Sequence, residues 1–76
     1  MLRQQSKLRM ANSITLQFYL SRAAEARTQA EAATLSHVRD RCRRSEAAWI
    51  QLAERVEATE KMRIKQLMLK AAMPAE

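Results

Sequence analysis

His37 and Cys42 are the side chains of this chain best suited to nucleophilic or acid–base chemistry, and each is the single residue of its kind. A thiol attacks efficiently only when a base within hydrogen-bond reach takes its proton. On a shared helix the two positions point about 140° apart, which tells against that partnership. The expected roles are a solvent-facing first-turn residue for His37 and a small core hydrophobe for Cys42. One His and one Cys also fall short of the convergent donor set that a metal needs. A glycine-rich phosphate cradle is excluded, because the chain has no Gly. The expectation is a non-enzymatic protein with no catalytic residue, cofactor, metal or small-molecule substrate.

The remaining chemistry is electrostatic. The formal net charge is +6, and the cations fall in two groups. Arg39, Arg41, Arg43 and Arg44 crowd the start of the segment SHVRDRCRRSEAAW, where a helix N-terminus disfavours positive charge. They face several directions. Asp40 lies one turn before Arg44 and Glu46 follows Arg43, so acids can offset two of them at about 0.3–0.5 kcal/mol each. This group is expected as a solvated corner and a secondary anion patch at most. The second group is Arg3, Lys7 and Arg9 near the start, with Lys61, Arg63, Lys65 and Lys70 near the end. Neither run contains an acid. Glu25, Glu31, Glu46, Glu54, Glu57 and Glu60 occupy the middle of the chain. Ile64, Leu67, Met68 and Ala71 share one face of the late run, and Met62, Leu69 and Met73 share another. Basic helices with Met and Leu faces suit an acidic protein, an anionic membrane surface or a phosphate backbone. No aromatic residue accompanies them, which weakens a reading based on stacking single-stranded bases.

What must position these groups is helical. A chain of 76 residues with no Gly and one Pro, rich in Ala, Leu, Met, Arg, Glu, Gln and Lys, is expected to be all-α. Residues 1–12 read as a basic arm, flexible or partly helical. A first helix is expected over 13–34, capped by Asn12 or Ser13. Residues 35–36 form a tight turn. A second helix follows over 37–72, with Ser36 as its cap and an end ahead of Pro74, and 73–76 form a tail. The link is so short that the helices must run antiparallel. Leu16, Tyr19, Leu20, Ala23, Ala26 and Ala30 form the core face of the first helix. Val38, Cys42, Ser45, Trp49, Leu52, Val56 and Thr59 form a heptad seam on the second. Folded at Leu35, Ala23 meets Trp49, Leu20 meets Leu52 and Leu16 meets Val56. The competing arrangement is one continuous helix through Leu35. Ile14 and Phe18 lie opposite the hairpin seam and, with Ile64, Leu67 and Met68, are candidate oligomer contacts.

No apolar run is long enough to cross a membrane, and no apolar segment follows the first cations as a secretory signal requires. The acid-free start, with Ser and Thr among its cations, matches a mitochondrial presequence in composition. A single cysteine fits a reducing cytoplasm, which is the expected location.

The segment QAEAATLSHVRDRCRRSEAAWIQLAERVEATE, with Tyr19, Arg22, Ala23 and Glu25 upstream, resembles short Ala- and Arg-rich helical-hairpin proteins of alphaproteobacteria, sphingomonads especially. The resemblance spans residues 19–60. It implies a helical hairpin in a bacterial setting and carries no activity. Two helices, one of them mostly alanine on its inner face, bury little by themselves. The leading expectation is therefore an interaction or adaptor protein that forms a homodimer as a four-helix bundle. The alternative is a small nucleic-acid-associated regulator that grips phosphate through the basic open end. An acidic protein partner fits the first, and an anionic membrane surface ranks below both.

Overall fold

The computed structural model describes the backbone of residues 2–73 and the side chains of residues 11–73. Two helices, α1 (Leu2–Ala32) and α2 (Ser36–Ala72), pack side by side along their lengths. The result is an antiparallel hairpin, 65 × 20 × 11 Å with a radius of gyration of 17.9 Å. A compact domain of this length would have a radius near ~11 Å. The difference follows from the architecture: one layer of two helices leaves both broad sides of the hairpin uncovered.

The first helix begins earlier than the sequence pattern suggests. Asn12 and Ser13 do not cap it. Helix runs unbroken from Leu2 through both of them. Nothing in that stretch forbids it, since the segment holds neither Gly nor Pro and Asn or Ser inside a helix costs only a few tenths of a kcal/mol. Thr15 and Thr28 satisfy their hydroxyls by bonding back to the carbonyls of Ala11 (2.8 Å) and Ala24 (3.0 Å), as helix-interior Thr commonly does.

The corner is a real break, and the continuous-helix alternative is excluded. The last turn of α1 tightens as the Ala33 N–H donates to the Ala30 carbonyl. Leu35 then takes an extended conformation (φ −94°, ψ 131°) and stands at the cap position of α2. Ser36 is already helical, so it is not the cap expected of it, and no side chain caps α2. The compensation comes from Arg39. Its guanidinium donates to the Ala33 carbonyl at 3.1 Å, meeting an orphan acceptor beyond the end of α1. The cation that looked misplaced at one helix start is thus well placed at the other helix's negative end.

Among the described residues the core consists of Ala23, Ala26, Ala30, Cys42 and Ala53, and no large side chain is fully buried. Leu16, Tyr19, Val38, Trp49, Leu52 and Val56 are half-buried along its flanks. Leu20 is not a core residue: at 41% exposure it lies on an open side. Its row is displaced from the one that runs through Leu16, Tyr19 and Ala23 at heptad steps. The inner row of α2 also differs from the apolar reading. Ser45 and Thr59 are exposed, whereas Glu46 and Glu60 are half-buried and Ala53 is 2% exposed. Cys42, Glu46, Trp49, Ala53, Val56, Glu60 and Arg63 follow one another at alternating steps of four and three, a heptad row with polar residues in it.

Candidate functional site

Four groups of side chains stand out on this hairpin. The first collects every aromatic ring of the chain, which has one Phe, one Tyr and one Trp. Tyr19 and Trp49 lie with ring centroids 5.8 Å apart, and Phe18 meets Trp49 edge-on at 5.9 Å. Phe18 therefore does not stand opposite the seam. Its ring reaches round the edge of α1 onto Trp49 while remaining 52% exposed. The Arg22 guanidinium lies 5.6 Å from the Trp49 ring and 5.8 Å from the Phe18 ring, and is steered there by Glu25 at 3.1 Å. Trp49 is accordingly half-buried, with Phe18, Tyr19 and Arg22 about its ring and Ala26 lining the same shallow depression. A tryptophan is too wide for a seam built on alanines, so the ring turns onto one broad side.

The second group joins the helices far from the corner. The Asn12 side-chain amide donates to Glu60 Oε2 at 3.1 Å, and Arg63 Nε donates to the same oxygen at 3.1 Å. A second Arg63 nitrogen donates to Glu60 Oε1, so the pair is bidentate. That hydrogen bond, set against partial burial, raises the Arg63 pKa above its ordinary value. The expected free cation at position 63 is therefore engaged within its own chain. Asn12 to Glu60 continues, one turn outward on each helix, the register in which Leu16 meets Val56. Both residues look solvent-directed in sequence, and their signal is positional only: each falls on a heptad row.

The third group is aliphatic and occupies the side of the hairpin opposite the rings. A groove of about 450 Å³ is lined by Asn12, Ser13, Leu16, Val56, Glu57, Glu60, Lys61 and Ile64. Its rows extend along both helices at heptad spacing, Ser13 to Leu20 on α1 and Ile64 back through Glu57 to Ile50 on α2. Leu20 and Ile50 are 41% and 39% exposed. A shallower depression continues it between Lys61, Ile64, Lys65, Met68 and Leu69. Ile14 is 65% exposed, Leu67 37% and Met68 67%.

The fourth group is the charge. Lys61, Lys65 and Lys70 are exposed at the open end. Arg3, Lys7 and Arg9 lie outside the residues whose side chains are described. At the corner, Arg43 pairs with Glu46 at 3.0 Å, and no ion pair joins Asp40 to Arg44 among the described residues. Arg41 and Arg44 are exposed, and with Arg39 turned back to Ala33 the four arginines do not converge on one point. His37 is exposed and Cys42 buried, so the structure does not bring them to a common site. Among the described residues no group of three or more His, Cys, Asp or Glu is placed to hold a metal, and no helix is long and apolar enough to cross a membrane.

No protein-family model, curated protein or solved structure matches this chain. Its own geometry is thus the ground for a functional reading. The arrangement offers two broad sides of different character, one aromatic with the Arg22 guanidinium over its rings, one aliphatic with a groove, and a basic end.

Proposed function

We propose that the chain is a small helical interaction protein that acts by binding rather than catalysis and self-associates, two hairpins pairing into a four-helix bundle. The observation that carries this reading is the surface left uncovered. The accessible area is 6685 Å² for a mass of 8.8 kDa. The scaling of surface with mass gives a compact monomer of that size about 4,800 Å². The excess, roughly 1,900 Å² per chain, exceeds the ~800 Å² per partner that a standard interface buries. The core supports the same reading. Alanines and one cysteine each withdraw little apolar area from water, while Leu20, Ile50, Ile64 and Met68 remain exposed. Burial of those residues against a second hairpin supplies what the single layer lacks.

The test is hydrodynamic. Sedimentation equilibrium should give twice the chain mass at micromolar concentration, and the melting temperature should rise with protein concentration. A monomer mass with a melting temperature independent of concentration overturns the proposal.

A second reading, contact with a phosphate backbone, draws support from Lys61, Lys65 and Lys70, three exposed lysines in a run without acids. It is weakened by Arg63, which is held by Glu60. Titration against duplex DNA and structured RNA near physiological salt decides it. Absence of binding below about 100 μM, weaker than ordinary nonspecific association, discards it.

A further inference from the structure

We infer that the second copy docks on the aliphatic side of the hairpin, antiparallel to the first, about a two-fold axis passing at Ile50. The inference rests on the self-association proposed above and names the surface and orientation used. Two broad sides compete for the role. The aromatic side is already partly covered from within, since Phe18 and Arg22 lie over Trp49. Among the described residues the aliphatic side has no such cover: Leu20 and Ile50 are exposed near its middle, and a groove runs beside Leu16 and Ile64.

The orientation follows from charge and spacing along α2. Arg43, Ile50, Glu57 and Ile64 form one row at heptad steps, so all four look toward the same side. Arg43 and Glu57 are equidistant from Ile50, on either side of it. A two-fold axis at Ile50 perpendicular to the helices therefore brings Arg43 of each copy level with Glu57 of the other. Glu57 has no cation partner within its own chain among the described residues, and the Arg43 side chain keeps 47% of its surface exposed beyond its bond to Glu46. The same axis accounts for the corner. Leu35, at the tip, is 58% exposed and lies as far from Ile50 as Lys65 does. It thus comes level with the depression lined by Lys61, Ile64, Lys65, Met68 and Leu69. One axis so places an apolar pair at the centre, opposite charges beside it and an exposed leucine over an apolar hollow at each end. A parallel pairing, corner beside corner, sets α1 of one copy over α2 of the other and offers none of these matches.

The experiment uses the full chain with Cys42→Ala, so that introduced thiols are the only ones. Ile50→Cys should be captured as a covalent dimer by a short bis-maleimide, because position 50 meets its own copy at the axis. Ala58→Cys, on the outer back of α2 with Gln51, Glu54 and Arg55, should be captured far less. Sedimentation of the same chains before cross-linking separates the outcomes. A dimer in which Ile50→Cys cross-links no better than Ala58→Cys overturns the docking surface proposed here and leaves self-association standing. A monomer overturns both. The charge pairing has its own reading. Glu57→Lys should weaken dimerisation by about tenfold or more, since like charges then face each other, and Glu54→Lys should change it much less. Equal effects overturn the antiparallel orientation.

Discussion

Replacing Trp49 with alanine tests how the hairpin is held at its middle. The indole is half-buried, with two rings and a guanidinium against it and the seam residue Ala26 lining the same depression. An indole carries up to ~250 Å² of surface. Withdrawing about half of that from water is worth about 3 kcal/mol at 25 cal/mol per Å². The two aromatic contacts and the cation over the ring add about 1 kcal/mol or more between them. Little cavity penalty applies, because the site is open on one side and Phe18 can settle into it. The expected loss is therefore about 3–4 kcal/mol. Whole-protein stability for a chain of this size is about 4–11 kcal/mol, so the variant should melt on the order of 15 °C lower. Urea denaturation followed by circular dichroism, at one fixed protein concentration, measures the loss. Trp49→Phe should retain more than half of the stability lost in Trp49→Ala, because a ring remains against Tyr19. A loss below about 1 kcal/mol for Trp49→Ala would refute the cluster as a clasp between the helices.

Three further outcomes are expected. Asn12→Ala should cost about 1 kcal/mol and Glu60→Ala about 2 kcal/mol, the second being larger because it leaves the half-buried Arg63 without its anion; amide hydrogen exchange should show the added opening confined to the open end. Arg39→Gln should cost about 1 kcal/mol through loss of the bond to the Ala33 carbonyl, whereas Arg41→Gln should change stability by less than about 0.5 kcal/mol, both read from urea melts. Ala53→Leu should cost about 1–3 kcal/mol, because the extra carbons enter a seam that admits only small side chains, while Ala58→Leu on the outer back of α2 should be nearly neutral.

The fold class was legible because composition and spacing agreed. Helix formers without glycine permit little else, and a break near Leu35 lets the two rows meet. The ends of the elements were less legible. Asn12 and Ser36 are residue types that favour caps, but such preferences act only where the backbone leaves the helix. Packing along α2 carries α1 through Asn12, and Leu35 takes the extended cap conformation ahead of Ser36. The seam of α2 was read one step to the side. An apolar search prefers Ser45 and Thr59 to the charged Glu46 and Glu60, yet the charged pair faces inward because each carboxylate finds an arginine three residues away. Burial in a thin hairpin is shallow, so a paired carboxylate is tolerated there as it would not be in a deep core. Phe18 and Leu20 were misplaced for a related reason. A periodic pattern gives the direction of a Cα–Cβ bond, and a long ring can still turn toward a neighbouring indole. The pairing of Arg43 with Glu46 was legible from their spacing, whereas Arg22, Arg39 and Arg63 each serve a neighbour that the pattern did not point to.

Those tasks explain why a seam of alanines can still hold one arrangement. Alanines fit one another equally well in many registers, so Ala23, Ala26, Ala30 and Ala53 supply close approach without choosing a partner. At the corner the short link makes the choice, with Arg39 tying the end of one helix to the start of the next. Its influence fades along the rod, because Glu60 lies ~37 Å from the corner at 1.5 Å per residue. Trp49 with Tyr19 renews the choice midway, and Asn12 with Glu60 and Arg63 renews it near the open end. A hydrogen-bonded polar group in an apolar seam costs some stability and fixes register in return. Beyond Arg63 no described side chain of α2 is buried, and Ile64, Leu67, Met68, Leu69 and Met73 are all exposed. The polar latch is the last point along α2 at which a described side chain is half-buried. It ties the two helices together beside the exposed apolar residues of the last turns of α2. For the self-association proposed above, rigid presentation would lower the ordering cost of association, a physical role for paired carboxylates within a seam that could have been entirely apolar.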